Sequence, residues 1–196
     1  MIECQDVSFS YPASALPDSE SQTGGALKHI SCTIEDGSFV LLCGTSGCGK
    51  TTMTRLFNGL IPHYHEGTYT GSVYLDGKDT RDLSLFDISL KVGSVFQNPR
   101  SQFFNVDTTS ELAFGPENHG MPEDIVRDRV KRVAAQLKLE PLLDRSIFSL
   151  SGGEKQKIAC GSAAAIDPDV YVLDEPSSNL DAYAIADFRQ LLFTLK

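Results

Sequence analysis

The sequence predicts an α/β fold in which a mixed sheet forms the core, with an antiparallel β arm at the N-terminus and an inserted helical lobe. Apolar and polar residues alternate over 2–10 and 27–34, which is the pattern of half-buried strands. Short runs rich in apolar residues at 39–43 and 169–174 are typical of strands buried on both faces. Residues 99–150 carry a helical pattern without a convincing strand, so we expect the helical lobe there.

Shorter elements fit between these segments. They are a helix at 51–60, a hairpin arm at 71–79, a short helix at 84–90 and a strand at 92–96. Asp76 and Gly77 are the predicted turn of the hairpin arm, because both residue types tolerate positive φ. Residues 13–25 lack apolar bulk and carry Pro, Ser and Gly, which predicts a loop.

Two helix starts are predicted inside the helical lobe. Thr108 and Glu111 have the spacing of a capping box, in which each side chain bonds the other residue's backbone N–H. Pro122 is expected at the first position of a second helix, with Glu123 and Asp124 in its first turn.

Charge and cysteine content exclude several classes of protein. The net charge is −9, so we expect no general affinity for nucleic acid, and any phosphate site must be built locally. The five cysteines are odd in number and form no C-x-x-C pair, which argues against a disulfide framework or a zinc site and favours a reducing cytosol. The sequence has neither a secretion signal at its start nor a run of apolar residues long enough to cross a membrane.

A phosphate-binding loop is predicted at residues 44–51, which fit the pattern G-x-x-x-x-G-K-[ST] between a predicted strand and a predicted helix. The glycines let successive backbone N–H groups point at a phosphate, and the helix adds partial positive charge at its N-terminus. Lys50 is expected to contact the β- and γ-phosphates of ATP during catalysis, and Thr51 to bind Mg²⁺. The expected ATP-binding residues here are Gly44, Thr45, Ser46, Gly47, Cys48, Gly49, Lys50, Thr51 and Thr52.

The apolar strand at 169–174 ends in two acids, Asp174 and Glu175. A carboxylate suits Mg²⁺, so Asp174 is a candidate metal ligand. Glu175 is the candidate general base that activates the attacking water. An apolar strand ending in two acids is often only a solvated strand end, but a phosphate loop in the same chain favours the catalytic interpretation.

The segment Leu150–Gln156, LSGGEKQ, begins a predicted helix in which Ser151 and Glu154 form a capping box. Such a helix start offers N–H groups and a hydroxyl to an anion. Here the chain resembles the ABC (ATP-binding cassette) ATPases, whose signature is similar, although Glu154 stands where glutamine is common. The resemblance implies that Ser151, Gly152, Gly153 and Glu154 contact the γ-phosphate of ATP held by a second cassette.

The resemblance extends from Tyr11 to Asp181 and implies one P-loop ATPase domain over 1–196. Its RecA-like core would comprise 1–98 and 151–196, with the helical subdomain at about 99–150.

Three further residues acquire roles from the resemblance. Tyr11 would stack on adenine, Gln97 would touch Mg²⁺ or the attacking water, and Asp181 would lie in a loop, Ser178-Asn179-Leu180-Asp181, that crosses the dimer interface. Taken alone, these residues also fit an aromatic core residue, an ordinary loop amide and a helix N-cap.

Residues 96–118 are similar to the ATPase components of energy-coupling-factor transporters, the importers of cobalt and vitamins. This resemblance implies an ATP-hydrolysing subunit at the cytoplasmic face of the membrane, attached peripherally. Its expected partners are a second identical or related cassette, a transmembrane coupling subunit and a substrate-binding membrane subunit.

Family members carry a switch histidine on a strand beyond the interface loop. The four histidines, His29, His63, His65 and His119, all precede the acidic strand. We therefore expect a domain that is incomplete at its C-terminus and that binds Mg·ATP but hydrolyses it slowly.

Three other functions remain open at this point. A non-transport ABC ATPase acting on nucleic acid or the ribosome predicts basic patches or a long coiled coil. A P-loop kinase of small molecules would leave the LSGGEKQ segment without a purpose. A cassette that binds ATP without hydrolysing it is disfavoured by the intact Glu175.

Overall fold

A computed structural model describes residues 1–12, 27–178 and 180–195, and the predicted loop at 13–25 lies outside these ranges. The chain divides into two compact units, Met1–Val92 and Gly93–Lys196. The elements form the predicted mixed α/β fold, with an antiparallel sheet in the first unit.

The first unit is built on a four-stranded sheet. Its strands are β1 (Ile2–Ser10), β2 (Leu27–Ile34), β3 (Thr68–Leu75) and β4 (Lys78–Asp79), in the order β2-β1-β3-β4, and each neighbouring pair is antiparallel. The alternation in β1 buries Val7 and Phe9. The predicted turn between β3 and β4 is confirmed, with φ of 51° at Asp76 and 77° at Gly77.

Three helices complete the described part of this unit: α1 (Lys50–Phe57), α2 (Leu60–His63) and α3 (Leu85–Lys91). Leu56 and Phe57 of α1 are buried, and α1 packs against β3. This packing attaches α1, the helix that follows the glycine-rich loop, to the sheet.

The second unit contains the predicted helices and a second sheet. Strands β5 (Val92–Val95) and β6 (Val170–Leu173) pair with each other. The helices are α4 (Thr108–Asn118), α5 (Glu123–Gln136), α6 (Gly152–Ala165) and α7 (Ala182–Leu195). Among the described residues, no helix is both long and apolar enough to span a membrane.

Helix α6 lies at the centre of the second core, packed against α4, α5 and α7. Close packing there depends on Gly161, because a Cβ atom at this position would lie 2.6 Å from Leu139 Cδ1 and 2.8 Å from Leu112 Cδ2. Ile158, Ala159, Cys160 and Ala165 of α6 are completely buried.

The prediction of a buried strand at 39–43 is wrong. These residues have no strand assignment, and Phe39 and Leu41 are 64% and 76% exposed. A strand requires hydrogen bonds to a neighbouring strand, and no strand in the described ranges pairs with this segment.

Both predicted helix starts in the lobe need correction. Asp107, not Thr108, caps α4 by accepting a 2.9 Å hydrogen bond from the Ser110 N–H. Glu111 is instead buried and accepts hydrogen bonds from the backbone N–H groups of Phe104 and Asn105. Pro122 is the N-cap of α5 and not its first helical residue, so the helix begins at Glu123, one residue later than expected.

Candidate functional site

The glycine-rich loop ends where α1 begins, as the sequence predicts. Gly47 and Gly49 have φ of 76° and 100°, a backbone conformation that residues with a side chain rarely adopt. A Cβ atom on Gly44 would lie 2.5 Å from Cys48 Sγ. Thr45, Ser46 and Cys48 are exposed, so the loop is open to solvent and can approach a ligand with its backbone.

Lys50 is the first residue of α1, and its ammonium group turns back over the loop. Its Nζ donates hydrogen bonds of 3.1 Å to the carbonyl oxygens of both Gly44 and Thr45. These carbonyls hold a positive charge at the mouth of the loop. An anionic phosphate is a stronger acceptor than a neutral carbonyl, so the lysine can exchange these bonds for bonds to a ligand.

The two threonines that follow Lys50 differ in burial. Thr52 is buried and therefore packs inside the unit, whereas Thr51 is partly exposed. A hydroxyl is a suitable hard ligand for Mg²⁺, and the partial exposure of Thr51 is compatible with its predicted role.

Tyr11 follows β1 and is half-buried. Its hydroxyl accepts a 2.8 Å hydrogen bond from Arg55, whose guanidinium carbon lies 5.9 Å from the ring centroid. Phe9 and His65 contact the ring edge-to-face, with centroid distances of 4.9 and 6.0 Å. No local sequence signal links Arg55 to Tyr11, because the two residues are 44 positions apart.

Burial and the nearby Arg55 charge both lower the pKa of His65. Desolvation and a neighbouring cation both disfavour the protonated form of the ring.

In the second unit, the ends of two strands bring Gln97 and Glu175 together. The Asp174 N–H donates a 2.9 Å hydrogen bond to the Val95 carbonyl, which joins the end of β6 to the end of β5. Gln97 Nε2 then donates a 3.1 Å hydrogen bond to Glu175 Oε2. The structure therefore links the predicted catalytic amide to the predicted general base.

The backbone at Glu175 is strained. Its φ is 44°, in the left-handed region that a residue with a long side chain seldom occupies. Such strain costs on the order of 1–3 kcal/mol and is concentrated at functional sites. Glu175 is exposed, while Asp174 is only 9% exposed.

The donor atoms in the second unit fit a magnesium ion. Asp174 and Gln97 offer carboxylate and amide oxygens, the hard ligands that Mg²⁺ prefers. In the parts of the chain that the structure describes, no group of three or more His, Cys, Asp or Glu side chains forms a metal cluster. A site with few protein ligands suits Mg²⁺, which keeps several waters and binds the phosphates of its nucleotide.

The start of α6 confirms the capping box predicted at Ser151 and Glu154. Ser151 Oγ accepts a 3.3 Å bond from the Glu154 N–H, and Glu154 Oε2 accepts a 2.7 Å bond from the Ser151 N–H. Arg145 adds a 3.1 Å ion pair to Glu154. These partners, the Ser151 bonds foremost, lower the pKa of the Glu154 carboxyl. Gly152 and Gly153 follow Ser151 without side chains that could cover the helix end.

Asp181 precedes α7 and caps it. Its Oδ1 accepts a 2.8 Å hydrogen bond from the Ala184 N–H, and its carbonyl accepts one from Ile185. The N-cap role considered from the sequence is therefore present. Asn179, in the same predicted interface loop, lies outside the described residues.

The chain is similar to known ABC transporter proteins over most of its length. A protein-family profile described as ABC transporter matches residues 27–178. A putative ABC transporter ATP-binding protein from Treponema denticola is 48% identical over 196 residues. That match covers the whole of this chain but 38% of the Treponema protein, so the chain spans well under half of its relative. A putative ABC transporter ATP-binding protein from Pyrococcus horikoshii is 44% identical over 184 residues, covering 92% of this chain and 61% of that protein.

Two solved structures share the fold. CbiO1 from Clostridium perfringens, described as part of the ABC transporter complex cbiONQ, superposes with a TM-score of 0.80 and 28% identity. The match covers 99% of this chain and 72% of CbiO1. The ATP-binding cassette MJ0796, a dimer bound to ADP and Pi in a post-hydrolysis state, gives a TM-score of 0.79 and 25% identity, covering 100% of this chain and 82% of the other.

Proposed function

The chain belongs to the ABC transporter family, and on that premise we propose that it binds Mg·ATP and hydrolyses it to power an importer of the energy-coupling-factor type. The observation that carries the proposal is the Gln97–Glu175 hydrogen bond on a strained backbone, in a chain that also holds a phosphate loop with its lysine. An ordinary solvated strand end requires neither the strain nor the amide partner.

Nucleotide binding is the role of the first unit. The backbone N–H groups of residues 44–49 and the ammonium of Lys50 bind the phosphates, and Lys50 releases the Gly44 and Thr45 carbonyls as it does so. Thr51 contributes a hydroxyl to Mg²⁺. Tyr11, held by Arg55, offers its ring to the adenine base.

Hydrolysis is the role of the second unit. Glu175 accepts a proton from water as the water oxygen attacks the γ-phosphorus and the bond to the bridging oxygen breaks. Gln97 fixes the orientation of the Glu175 carboxylate through its 3.1 Å hydrogen bond to Oε2. Asp174 would hold Mg²⁺ through its carboxylate, and Gln97 would offer its amide oxygen. When bound, Mg²⁺ neutralises charge that develops on the phosphate oxygens.

We further propose that the chain works as a pair of cassettes. The MJ0796 cassette is dimeric in its ADP and Pi complex, which supports a second copy or a related cassette as the partner. In that pair, Ser151, Gly152, Gly153 and Glu154 face the γ-phosphate held by the partner, and Asp181 lies in the loop that meets it.

The importer assignment rests on the similarity of residues 96–118 to energy-coupling-factor ATPases and on CbiO1, a component of the cbiONQ complex. We propose attachment at the cytoplasmic face of the membrane through a transmembrane coupling subunit, with a separate membrane subunit that binds a vitamin or metal ion.

Phosphate release from ATP tests the catalytic proposal directly. Glu175→Gln removes the general base but keeps the size of the side chain, so we expect hydrolysis to fall by about 10²–10⁴-fold. The affinity for ATP should stay unchanged. Glu117→Gln is the matched control, because Glu117 is exposed on α4. Equal rates for Glu175→Gln and the native chain would refute the assignment of Glu175 as the base.

A further inference from the structure

Two cysteines face each other in the sheet of the first unit. Cys4 of β1 is the direct partner of Cys32 of β2, in a register that continues through Glu3 with Thr33 and Ile2 with Ile34. The pairing ends a regular stretch of ladder over Ile2–Cys4, and the register shifts between Cys4 and Val7. Both are free thiols in this structure.

This register satisfies the geometry of a disulfide. Directly opposed residues in an antiparallel pair have Cα atoms about 4.5–5.5 Å apart, and their side chains project from the same face. Disulfides join residues whose Cα atoms are about 4.4–6.8 Å apart. The register therefore places the two residues within the separation over which disulfides form.

The two thiols differ in access. Cys4 is 3% exposed, whereas Cys32 is exposed because β2 is an edge strand of the sheet. Burial, with a contribution from the neighbouring Cys32 side chain, raises the pKa of the Cys4 thiol to about 12. Because Cys32 is exposed, it is the thiol that meets an oxidant first, and Cys4 lies directly opposite it for the second step.

We propose that Cys4 and Cys32 form a reversible thiol–disulfide pair that responds to low-molecular-weight disulfides. The Cys32 thiolate attacks one sulfur of the oxidant, whose S–S bond breaks and releases one thiolate. Cys4 then gives up its proton to water and attacks the Cys32 sulfur, which expels the second thiolate. Two protein thiols are oxidised and one small disulfide is reduced to two thiols, and a dithiol reductant reverses the exchange.

The bond would lock the edge strand β2 to β1. The inference stands independently of ATP hydrolysis, because neither cysteine belongs to the predicted nucleotide site. It also refines what the cysteine count indicates. An odd number without a C-x-x-C pair argues against a disulfide framework, but one cross-strand pair needs no sequence spacing.

Peptide mapping after oxidation tests the proposal. The native chain is treated with oxidised glutathione, blocked with an alkylating agent, and cut by trypsin and glutamyl endopeptidase. Cleavage after Glu3, Glu20, Lys28 and Glu35 isolates Cys4 in peptide 4–20 and Cys32 in peptide 29–35, apart from Cys43 and Cys48. We expect peptides 4–20 and 29–35 to be joined, and the link to disappear with dithiothreitol.

Two controls distinguish a Cys4–Cys32 disulfide that depends on the folded sheet from random oxidation of cysteines. In guanidinium the strands are lost and closure of the intervening chain becomes statistical, so the link should fall on the order of tenfold relative to the native chain. Cys4→Ser should instead leave a stable glutathione adduct on Cys32. The proposal is overturned if native Cys32 keeps the adduct while Cys4 stays reduced, or if Cys32 pairs with Cys43 or Cys48.

Discussion

The first turns of helices α1 and α6 are capped in different ways. Both begin at glycine-containing segments, and both are expected to meet phosphate. Helix α1 begins after Gly49, which has φ of 100° and no side chain to cap the helix. Helix α6 begins with a complete capping box between Ser151 and Glu154. The first start has no side-chain cap at its N-cap residue, whereas the second is stabilised by its own side chains.

This difference suggests different tasks. At α1, the Lys50 ammonium lies over the loop, where in the proposed site it would supply the charge for a phosphate. At α6, Glu154 places a carboxylate near the helix end, and the ion pair with Arg145 offsets its charge. The expectation of freely available N–H groups at α6 is therefore only partly met, because Ser151 and Glu154 use two of them for each other. A fixed α6 start suits contact with a nucleotide already bound by another cassette.

Of the substitutions at the two helix starts, Gly49→Ala should have the largest effect on stability and ATP binding. The new Cβ would sit at φ of 100° and 2.8 Å from Leu27 Cδ2. We expect the free energy of unfolding to fall by about 1–3 kcal/mol, because alanine is strained at this positive φ. ATP binding should weaken, because the loop backbone would then change its conformation. Urea denaturation and nucleotide titration measure the two effects.

Gly37→Ala is the matched control for that experiment. Gly37 also has positive φ, 69°, but a Cβ there would meet nothing within 4 Å. It should lower stability without weakening ATP binding. If the two variants bind ATP equally well, Gly49 has no special part in the phosphate site.

Ser151→Ala should have a smaller effect, confined to stability. Loss of an N-cap hydroxyl costs about 1 kcal/mol, and the capping bond to the Glu154 N–H disappears. ATP binding by a single cassette should not change, because this serine faces a partner's nucleotide in the proposed pair. Ser89→Ala within α3 serves as a serine control outside a helix start. A clear loss of ATP affinity in monomeric Ser151→Ala would contradict the division of tasks.

The charge of Glu154 should have the smallest effect, visible as a dependence on pH. Its pKa in the folded chain lies below the ordinary value of 4.5, so its stabilisation is fully present above that value and is lost as pH falls through the folded pKa. Glu154→Gln should therefore be less stable by about 0.5 kcal/mol at neutral pH, and the gap should close on acidification. Thermal unfolding of both proteins from about pH 7 to about pH 3 measures the gap. A constant gap would show that the charge contributes nothing.

The sequence predicted most of the elements because their signals are local. The β3–β4 turn follows from the conformational tolerance of Asp76 and Gly77, and the α6 cap follows from the spacing of Ser151 and Glu154. The prediction of a strand at 39–43 was wrong because it depends on a long-range partner and not on a local signal. The apolar residues of this segment favour a strand, but a strand also depends on a partner elsewhere in the chain, which composition does not reveal.

Long-range contacts account for the other differences between the sequence prediction and the observed structure. The spacing of Thr108 and Glu111 fits a capping box. In the folded chain, however, the Glu111 carboxylate accepts hydrogen bonds from the backbone N–H groups of Phe104 and Asn105. The strand pattern identifies Glu175 and the family resemblance identifies Gln97, but neither predicts their direct hydrogen bond, which spans 78 positions of sequence. The Arg55 contact to Tyr11 is another such pairing.

Calorimetric titration of Mg·ATP into the native chain and into Lys50→Ala tests the central claim most directly. Charge-assisted hydrogen bonds contribute about 1.5–3 kcal/mol, so removal of the ammonium should weaken binding by about one to two orders of magnitude. Lys131→Ala, which removes an exposed lysine from α5, should bind as the native chain does. If the native chain gives no binding heat, or if Lys50→Ala binds with native affinity, the proposed nucleotide site is contradicted.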